Sequence, residues 1–295
     1  MNDFVRELQS YGPIAVKMMK NKKEIKPVKV HFGRNRSQYF LHYSPIEKKF
    51  NEIVIYIHGG GWNSRRPDDF DFIGQKIASA GYECMIFGYR KVPGFHYNDM
   101  IEDICREYKA MLNHLKTQKI DASRVIVTGS SAGAHLGSIL VYDREIHTRY
   151  KIGARRFVGF IGLAGPYCFK GELTWMLKQL LGDLFEKGQD WNEGEPYSRL
   201  DLIVPGEDCP EINIPMYLIH SDHDGVINMK QTVIFAKKAM ELQIPMTLYR
   251  VTDKNNTHTS YSTAIFFDDE SENKTLLNFF KFMNSLSTKV QNEDD

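Results

Sequence analysis

Along the middle of the chain, short apolar runs rich in β-branched and aromatic residues alternate with longer stretches in which apolar residues recur every three or four positions. The first pattern has the period of strands and the second that of helices with one face on a core. Their alternation predicts βαβ units and an α/β fold with a mostly parallel central sheet flanked by helices. The predicted core strands are 52–58 (EIVIYIH), 82–88 (YECMIFG), 124–129 (RVIVTG), 157–165 (FVGFIGLAG), 216–220 (MYLIH) and 246–251 (MTLYRV), each closed by Gly, Pro or polar residues. Two earlier runs, 28–33 and 38–43, alternate polar with apolar and predict an antiparallel entry to the sheet. The clearest predicted helix runs from Asn98 to Lys116, with Met100, Ile101, Ile104, Tyr108, Met111, Leu112 and Leu115 on one face.

One connection breaks this rhythm. About fifty residues separate Gly165 from Pro215, too many for a bare loop in a compact domain, so the stretch must carry structure of its own. Leu173, Trp175, Met176, Leu177, Leu180 and Leu181 predict a short amphipathic helix there, ahead of a segment rich in Gly, Pro and acidic residues. Residues 166–212 are therefore expected to form a small cap or lid inserted into a single domain that spans 1–295. The Met and Trp positions of this insertion are expected to pack rather than to hold a ligand. At the ends, the lysine-rich stretch 13–27 lacks interleaved aromatics and reads as a solvated helix end, and 288–295 is expected to fray.

Composition narrows the class. The 295 residues are 42% hydrophobic, 25% charged and 12% aromatic, which excludes collagen-like, low-complexity and wholly disordered chains. A chain of this size buries roughly three quarters of the surface its unfolded form exposes, enough for one core without a metal or disulfide staple. Thirty-eight Lys and Arg against thirty-seven Asp and Glu leave a formal charge of +1, so no strong overall field favours nucleic acid or an anionic membrane. No apolar run reaches the roughly 18 residues of a membrane span. Cys84, Cys105, Cys168 and Cys209 are widely spaced without a CxxC pair, and MNDFVREL has no apolar signal core. Reduced thiols in a cytoplasmic protein are expected, with a small neutral or weakly charged molecule as partner.

Chemistry enters at three places. His58-Gly59-Gly60-Gly61-Trp62 directly follows a predicted strand. Consecutive glycines let the backbone turn tightly and aim successive N–H groups at one point, as a developing oxyanion requires. Gly129-Ser130-Ser131-Ala132-Gly133 is a G-x-S-x-G string between a predicted strand and a predicted helix. A sharp turn there exposes the Ser131 hydroxyl, small flanking residues let the two backbones approach, and the Ala132 N–H can join the oxyanion donors. A serine needs a base, and the base an acid to orient it. His258, in a polar loop after the last predicted strand, has the right placement, whereas His135, one turn beyond Ser131, is expected to be a buried structural residue. The acid belongs to Ser221-Asp222-His223-Asp224-Gly225-Val226, where Asp224 has room to turn toward a histidine and Asp222 is the alternative. The spacing of these His and Asp residues matches no standard ligand set, so no metal is expected.

Taken together, these motifs resemble the α/β-hydrolase superfamily, and within it the HGGG-bearing branch of hormone-sensitive-lipase-type carboxylesterases, feruloyl and acetyl xylan esterase-like proteins and kynurenine formamidases. The resemblance covers most of residues 28–285. It rests on HGGGW at 58–62, Tyr89-Arg90 with Pro93 before a helix bearing Asp103, GSSAGAHL at 129–136, HSDHDGVI at 220–227, the late His258, and the chain order Ser, Asp, His. It implies an α/β-hydrolase fold with Ser131 as nucleophile, Asp224 as acid, His258 as base, the N–H groups of Gly60, Gly61 and Ala132 as oxyanion hole, and no cofactor. Hormone-sensitive-lipase-type esterases usually carry GDSAG. Ser130 in place of that acid brings the string closer to the formamidase and feruloyl-esterase-like form. The implied activity is carboxylesterase cleavage of a small-molecule ester with a small acyl group. An arylformamidase is the alternative, and a non-catalytic binding protein on the same scaffold a third reading. Trp62 is expected to stack on the substrate.

Overall fold

Each predicted strand forms in the computed structural model, which describes residues 2–20, 24–170, 172–204 and 209–290. Strands β1 (Val28–His31), β2 (Tyr39–Tyr43), β3 (Ile53–Ile57), β4 (Glu83–Phe87), β5 (Val125–Ser130), β6 (Phe157–Leu163), β7 (Met216–Ser221) and β8 (Met246–Val251) make one sheet in the order β1-β2-β4-β3-β5-β6-β7-β8. The first two strands pair antiparallel with each other and with β4, and the remaining neighbours are parallel. The helices are α1 (Asp3–Lys20), α2 (Asp71–Ser79), α3 (Tyr97–Thr117), α4 (Ala132–Tyr142), α5 (Arg144–Tyr150), α6 (Trp175–Leu184), α7 (Pro196–Arg199), α8 (Met229–Glu241), α9 (His258–Ser262) and α10 (Lys274–Ser285).

The alternation along β3 distributes side chains between two halves of the core. Ile53, Ile55 and Ile57 pack with residues of α3, α4 and α8, whereas Val54 and Tyr56 pack with residues of α2 and α10. Strands covered on both faces favour apolar residues at successive rather than alternate positions, which is why β3, Cys84–Phe87 of β4 and Val125–Val127 of β5 read as apolar runs. The Arg90 and Asp103 motif has a structural job here. Asp103 of α3, fully buried, accepts the Arg90 backbone N–H (2.8 Å), its guanidinium (2.8 Å) and the Gln38 amide (2.7 Å). Those bonds hold the loop after β4 against α3.

Between β6 and β7, α6 occupies the place of the expected amphipathic helix. Leu177, Leu181 and Leu184 are buried against the core, while Trp175 stays exposed. The hydroxyl of Thr174, the N-cap, donates to the Val226 carbonyl and accepts the Leu177 N–H, which ties the start of α6 to the loop after β7. The last residues differ from expectation. Rather than fraying, the N–H of Thr288 donates to the buried carboxylate of Glu52 (3.0 Å), and Val290 N–H donates to Lys49 C=O (3.0 Å). A buried carboxylate needs several donors, and Arg124 alone does not supply them. Residues 291–295 of that stretch lie outside the described residues. All four cysteines are buried and unbridged. No helix among the described residues is long and apolar enough to cross a membrane.

Candidate active site

Between the end of β5 at Ser130 and the start of α4 at Ala132, Ser131 alone makes the turn. Its backbone sits at φ 54° and ψ −122°, a region that residues with a side chain rarely occupy. Neighbours hold it there. Ser131 N–H donates to Leu163 C=O (2.8 Å), and Ser131 C=O accepts from His135 N–H (3.1 Å). The glycines on either side are imposed by packing, since a Cβ at Gly133 would lie 1.9 Å from the Ile57 carbonyl oxygen and one at Gly129 2.6 Å from the Gly133 backbone. Only a bare backbone lets strand and helix approach closely enough to turn the serine out into the cavity it lines.

Facing it is the loop after β3. Gly60 and Gly61 adopt φ of 120° and 59°, conformations that glycine takes without strain. Among the described residues, no protein acceptor takes the N–H of Gly60, Gly61 or Ala132. Gly60 and Gly61 border the same cavity as Ser131, and Ala132 opens α4, whose first N–H groups have no helical partner. His58 braces this loop. Its Nδ1–H donates to Gly59 C=O (2.7 Å), and its ring lies between Phe70 and Tyr89. Complete burial pushes it down to about 3, so it is neutral and serves as a strut rather than a base.

Beyond β7 the polar residues diverge. Asp222 turns out to Arg250 and His223 toward Asp3, while the Asp224 side chain turns inward and is buried. His220 donates from Nε2 to Ile227 C=O (3.0 Å) and accepts the Thr232 hydroxyl on Nδ1 (2.7 Å), with its Nε2 also 3.5 Å from Asp224 Oδ2. Asp224 Oδ1 accepts the N–H groups of Val226 (2.9 Å) and Ile227 (2.8 Å). Its Oδ2 accepts His258 Nδ1–H (2.8 Å) and the Tyr261 hydroxyl (2.7 Å). Burial alone would raise this carboxyl, but the attraction and hydrogen bond of His258, the attraction of His220 and the Ile227 N–H outweigh it and hold Asp224 at about 2. His258 opens α9 and is 6% exposed. Burial would lower it, yet the charge and hydrogen bond of Asp224, and then the charge of Glu7, lift it above the ordinary histidine value. With Nδ1 committed to Asp224, Nε2 is the nitrogen left for proton transfer.

Ser131, His258, Gly60 and Gly61 line one cavity of about 320 Å³. The elements therefore bring together the serine, the histidine and its acid at the C-terminal edge of the sheet, where parallel α/β folds place their ligand sites. Met176 and Leu180 of α6 form part of the wall, and so do Tyr11, Ile14 and Ala15 of α1. Sequence reasoning missed this last group. Apolar residues at helical spacing were the available signal, but they fall next to a lysine-rich stretch and do not say which surface they cover. Trp62 requires a correction, because it is 1% exposed and points into the core instead of meeting substrate. Its backbone, at φ 59°, turns the indole inward, and Nε1–H donates to Nδ1 of the buried His135 (3.3 Å), whose Nε2–H donates to Gly194 C=O (2.7 Å).

Sheet order, the serine turn after β5, the acid after β7 and the histidine after β8 define an α/β-hydrolase fold. Residues 41–156 match the family described as BD-FAE. The chain is 21% identical over 240 residues to the probable isoprenylcysteine alpha-carbonyl methylesterase ICMEL2 of Arabidopsis thaliana, a match covering 78% of this chain and 56% of that protein. To the kynurenine formamidase of Saccharomyces cerevisiae it is 23% identical over 223 residues, covering 71% of this chain and 84% of that one. The chain thus spans little more than half the length of the first relative and most of the second. Its fold is similar to that of esterase B from Lactobacillus Rhamnosis, with a TM-score of 0.75 at 20% identity over 95% of this chain and 92% of the other.

Proposed function

We propose that this protein is a serine hydrolase that cleaves carboxylic esters with a small acyl group through an acyl-enzyme intermediate. One observation carries the reading: the Asp224 and His258 pair, 2.8 Å apart, opens onto the cavity that Ser131 lines. In this mechanism Ser131 Oγ attacks the ester carbonyl while His258 Nε2 takes its proton and passes it to the leaving alcohol. Asp224 keeps the proton on Nδ1 and stabilises the imidazolium. The N–H groups of Gly60, Gly61 and Ala132 bind the oxyanion, and water, activated by the same histidine, then releases the acid. No cofactor enters these steps. The names of the methylesterase relative and of esterase B support ester chemistry, and a cavity of about 320 Å³, small for a ligand pocket, supports a small acyl group. Residues 166–212 act as the cap, with α6 closing one side. A cytoplasmic location agrees with four unbridged cysteines. The test is hydrolysis of short-chain p-nitrophenyl esters by wild type and Ser131→Ala. Turnover should drop by several orders of magnitude, and activity that survives the substitution overturns the assignment.

An arylformamidase reading has one observation in its favour, the match over 84% of the yeast kynurenine formamidase. Both reactions share acyl-enzyme chemistry, so Ser131, His258 and Asp224 do not separate them. Comparing kcat/KM for N-formylkynurenine, p-nitrophenyl acetate and a feruloyl ester does. A formamide preference of a hundredfold or more, about 2.7 kcal/mol of transition-state binding, replaces the esterase reading.

A further inference from the structure

A second cavity, of about 490 Å³, adjoins the one at Ser131, and Arg65 lines both. Its walls carry Lys29, Arg36, Arg65, Arg66 and Lys91 against two acids, Asp68 and Asp69. Both acids are already engaged. Asp68 pairs with Lys29 (3.0 Å) and accepts the Tyr39 hydroxyl, and Asp69 pairs with Arg66 (3.7 Å) and accepts its N–H (3.1 Å). Arg36, Arg65 and Lys91 remain without a carboxylate within 4 Å among the described residues. Burial, with repulsion from Arg36 and Arg66 against the attraction of Asp69, pushes the half-buried Lys91 ammonium below its ordinary value. Lys91 Nζ donates only to Tyr89 C=O (3.4 Å). In a chain whose formal charge is only +1, three cations without a carboxylate partner on one concave wall form a local field that a small anion would neutralise. Two guanidinium forks beside one ammonium suit an oxyanion with two or three oxygens.

We infer that this cavity receives an anionic group, a carboxylate or a phosphate, carried by the ester whose carbonyl sits at Ser131. The inference rests on the ester-hydrolase reading and narrows it to acidic esters, where composition pointed only to a neutral or weakly charged partner. The experiment compares kcat/KM for propyl butyrate, 2-carboxyethyl butyrate, 2-phosphoethyl butyrate and monopropyl succinate, so that the anion is of either kind and on either half of the ester. Wild type is set beside Arg36→Gln and Lys91→Met, with melting curves to show that each variant is folded. At least one anionic ester should exceed propyl butyrate by about tenfold at low salt, and that excess should shrink at about 0.5 M salt as the field is screened. Both variants should lower the anionic-to-neutral ratio several-fold, mainly through KM, and the preferred ester identifies the group and its side. A ratio near one for every anionic ester, or a ratio that neither variant changes, overturns the inference while fluorophosphonate labelling of Ser131 leaves the hydrolase reading standing. Failure of that labelling, with no ester cleaved, overturns both.

Discussion

Glu7, in the first helix, accepts both the N–H (3.1 Å) and the hydroxyl (2.6 Å) of Thr259, 252 residues away. Thr259 follows His258 directly, so α1 grips the turn that presents the imidazole. The Glu7 side chain is fully buried, and Tyr11, one turn further along α1, borders the cavity. The N-terminal helix is thereby both a wall of the candidate site and a brace for the turn that carries His258.

Replacing Glu7 with Gln keeps an oxygen acceptor but removes a negative charge that helps to raise His258. Without that charge the imidazolium is less favoured, so the acidic limb of kcat/KM against pH should move to lower pH. Glu7→Ala should in addition lower kcat, because the turn loses its anchor. A pH profile that stays in place in Glu7→Gln would mean that the carboxylate acts through packing alone.

Asp224→Asn should cost about four orders of magnitude in turnover, since the amide allows the wrong imidazole tautomer. The same residue has a signature in stability. Its folded value of about 2 lies below the ordinary carboxyl value, so its contribution is complete above roughly pH 4 and is lost as pH falls toward 2. His258 has the opposite sign: raised in the fold, it contributes below its ordinary value near 6.5 and ceases to contribute as pH rises through its folded value. Urea titrations across pH should therefore show an acid-side loss in wild type that is smaller in Asp224→Asn.

The turn at Ser131 stores backbone strain that glycine would not feel. Ser131→Gly and Ser131→Ala should both be inactive, yet the glycine variant should be the more stable by about 1 kcal/mol. Gly133→Ala should behave in the contrary way, because its Cβ meets the Ile57 carbonyl oxygen at 1.9 Å and neither backbone can withdraw. A loss of about 3 kcal/mol or more is expected in chemical denaturation. If Gly133→Ala melts like wild type, the elbow is not packed as described.

The strands were legible because the parallel sheet is covered on both faces, which writes β3 as Ile53-Val54-Ile55-Tyr56-Ile57 with no polar interruption. The glycine loop and the serine turn were legible because they demand residues that ordinary strands and helices avoid. Which aspartate reaches His258 was less so. Asp222 and Asp224 differ by two positions, and the choice depends on a turn closed by N–H groups of Val226 and Ile227 onto Asp224, a matter of loop geometry rather than pattern. Trp62 departs from expectation for a related reason, since the positive φ that swings its ring into the core is also a matter of loop geometry. Contacts such as Glu7 with Thr259, or Arg36, Arg65 and Lys91 around one cavity, join segments that share no local period. Only the assembled fold brings them together.

Leu180 controls room beside the glycine loop. One of its methyl carbons lies 3.0 Å from where a Cβ on Gly61 would be, and the residue lines the cavity. Leu177, on the neighbouring face of α6, is 1% exposed and belongs to the core. Truncating each to Ala should therefore separate specificity from stability. Leu180→Ala opens space next to Ser131, so the kcat/KM of p-nitrophenyl hexanoate should rise against that of the acetate, by up to about fourfold for each methylene newly accommodated. Its stability cost should stay near the low end for a partly buried leucine, about 2 kcal/mol or less, whereas Leu177→Ala should cost about 2–5 kcal/mol and leave the hexanoate-to-acetate ratio as it was. A ratio that does not move in Leu180→Ala would mean that the acyl chain does not run against α6, and Ile14→Ala, in the part of the cavity lining that α1 supplies, would then be the substitution that lengthens the preferred acyl group.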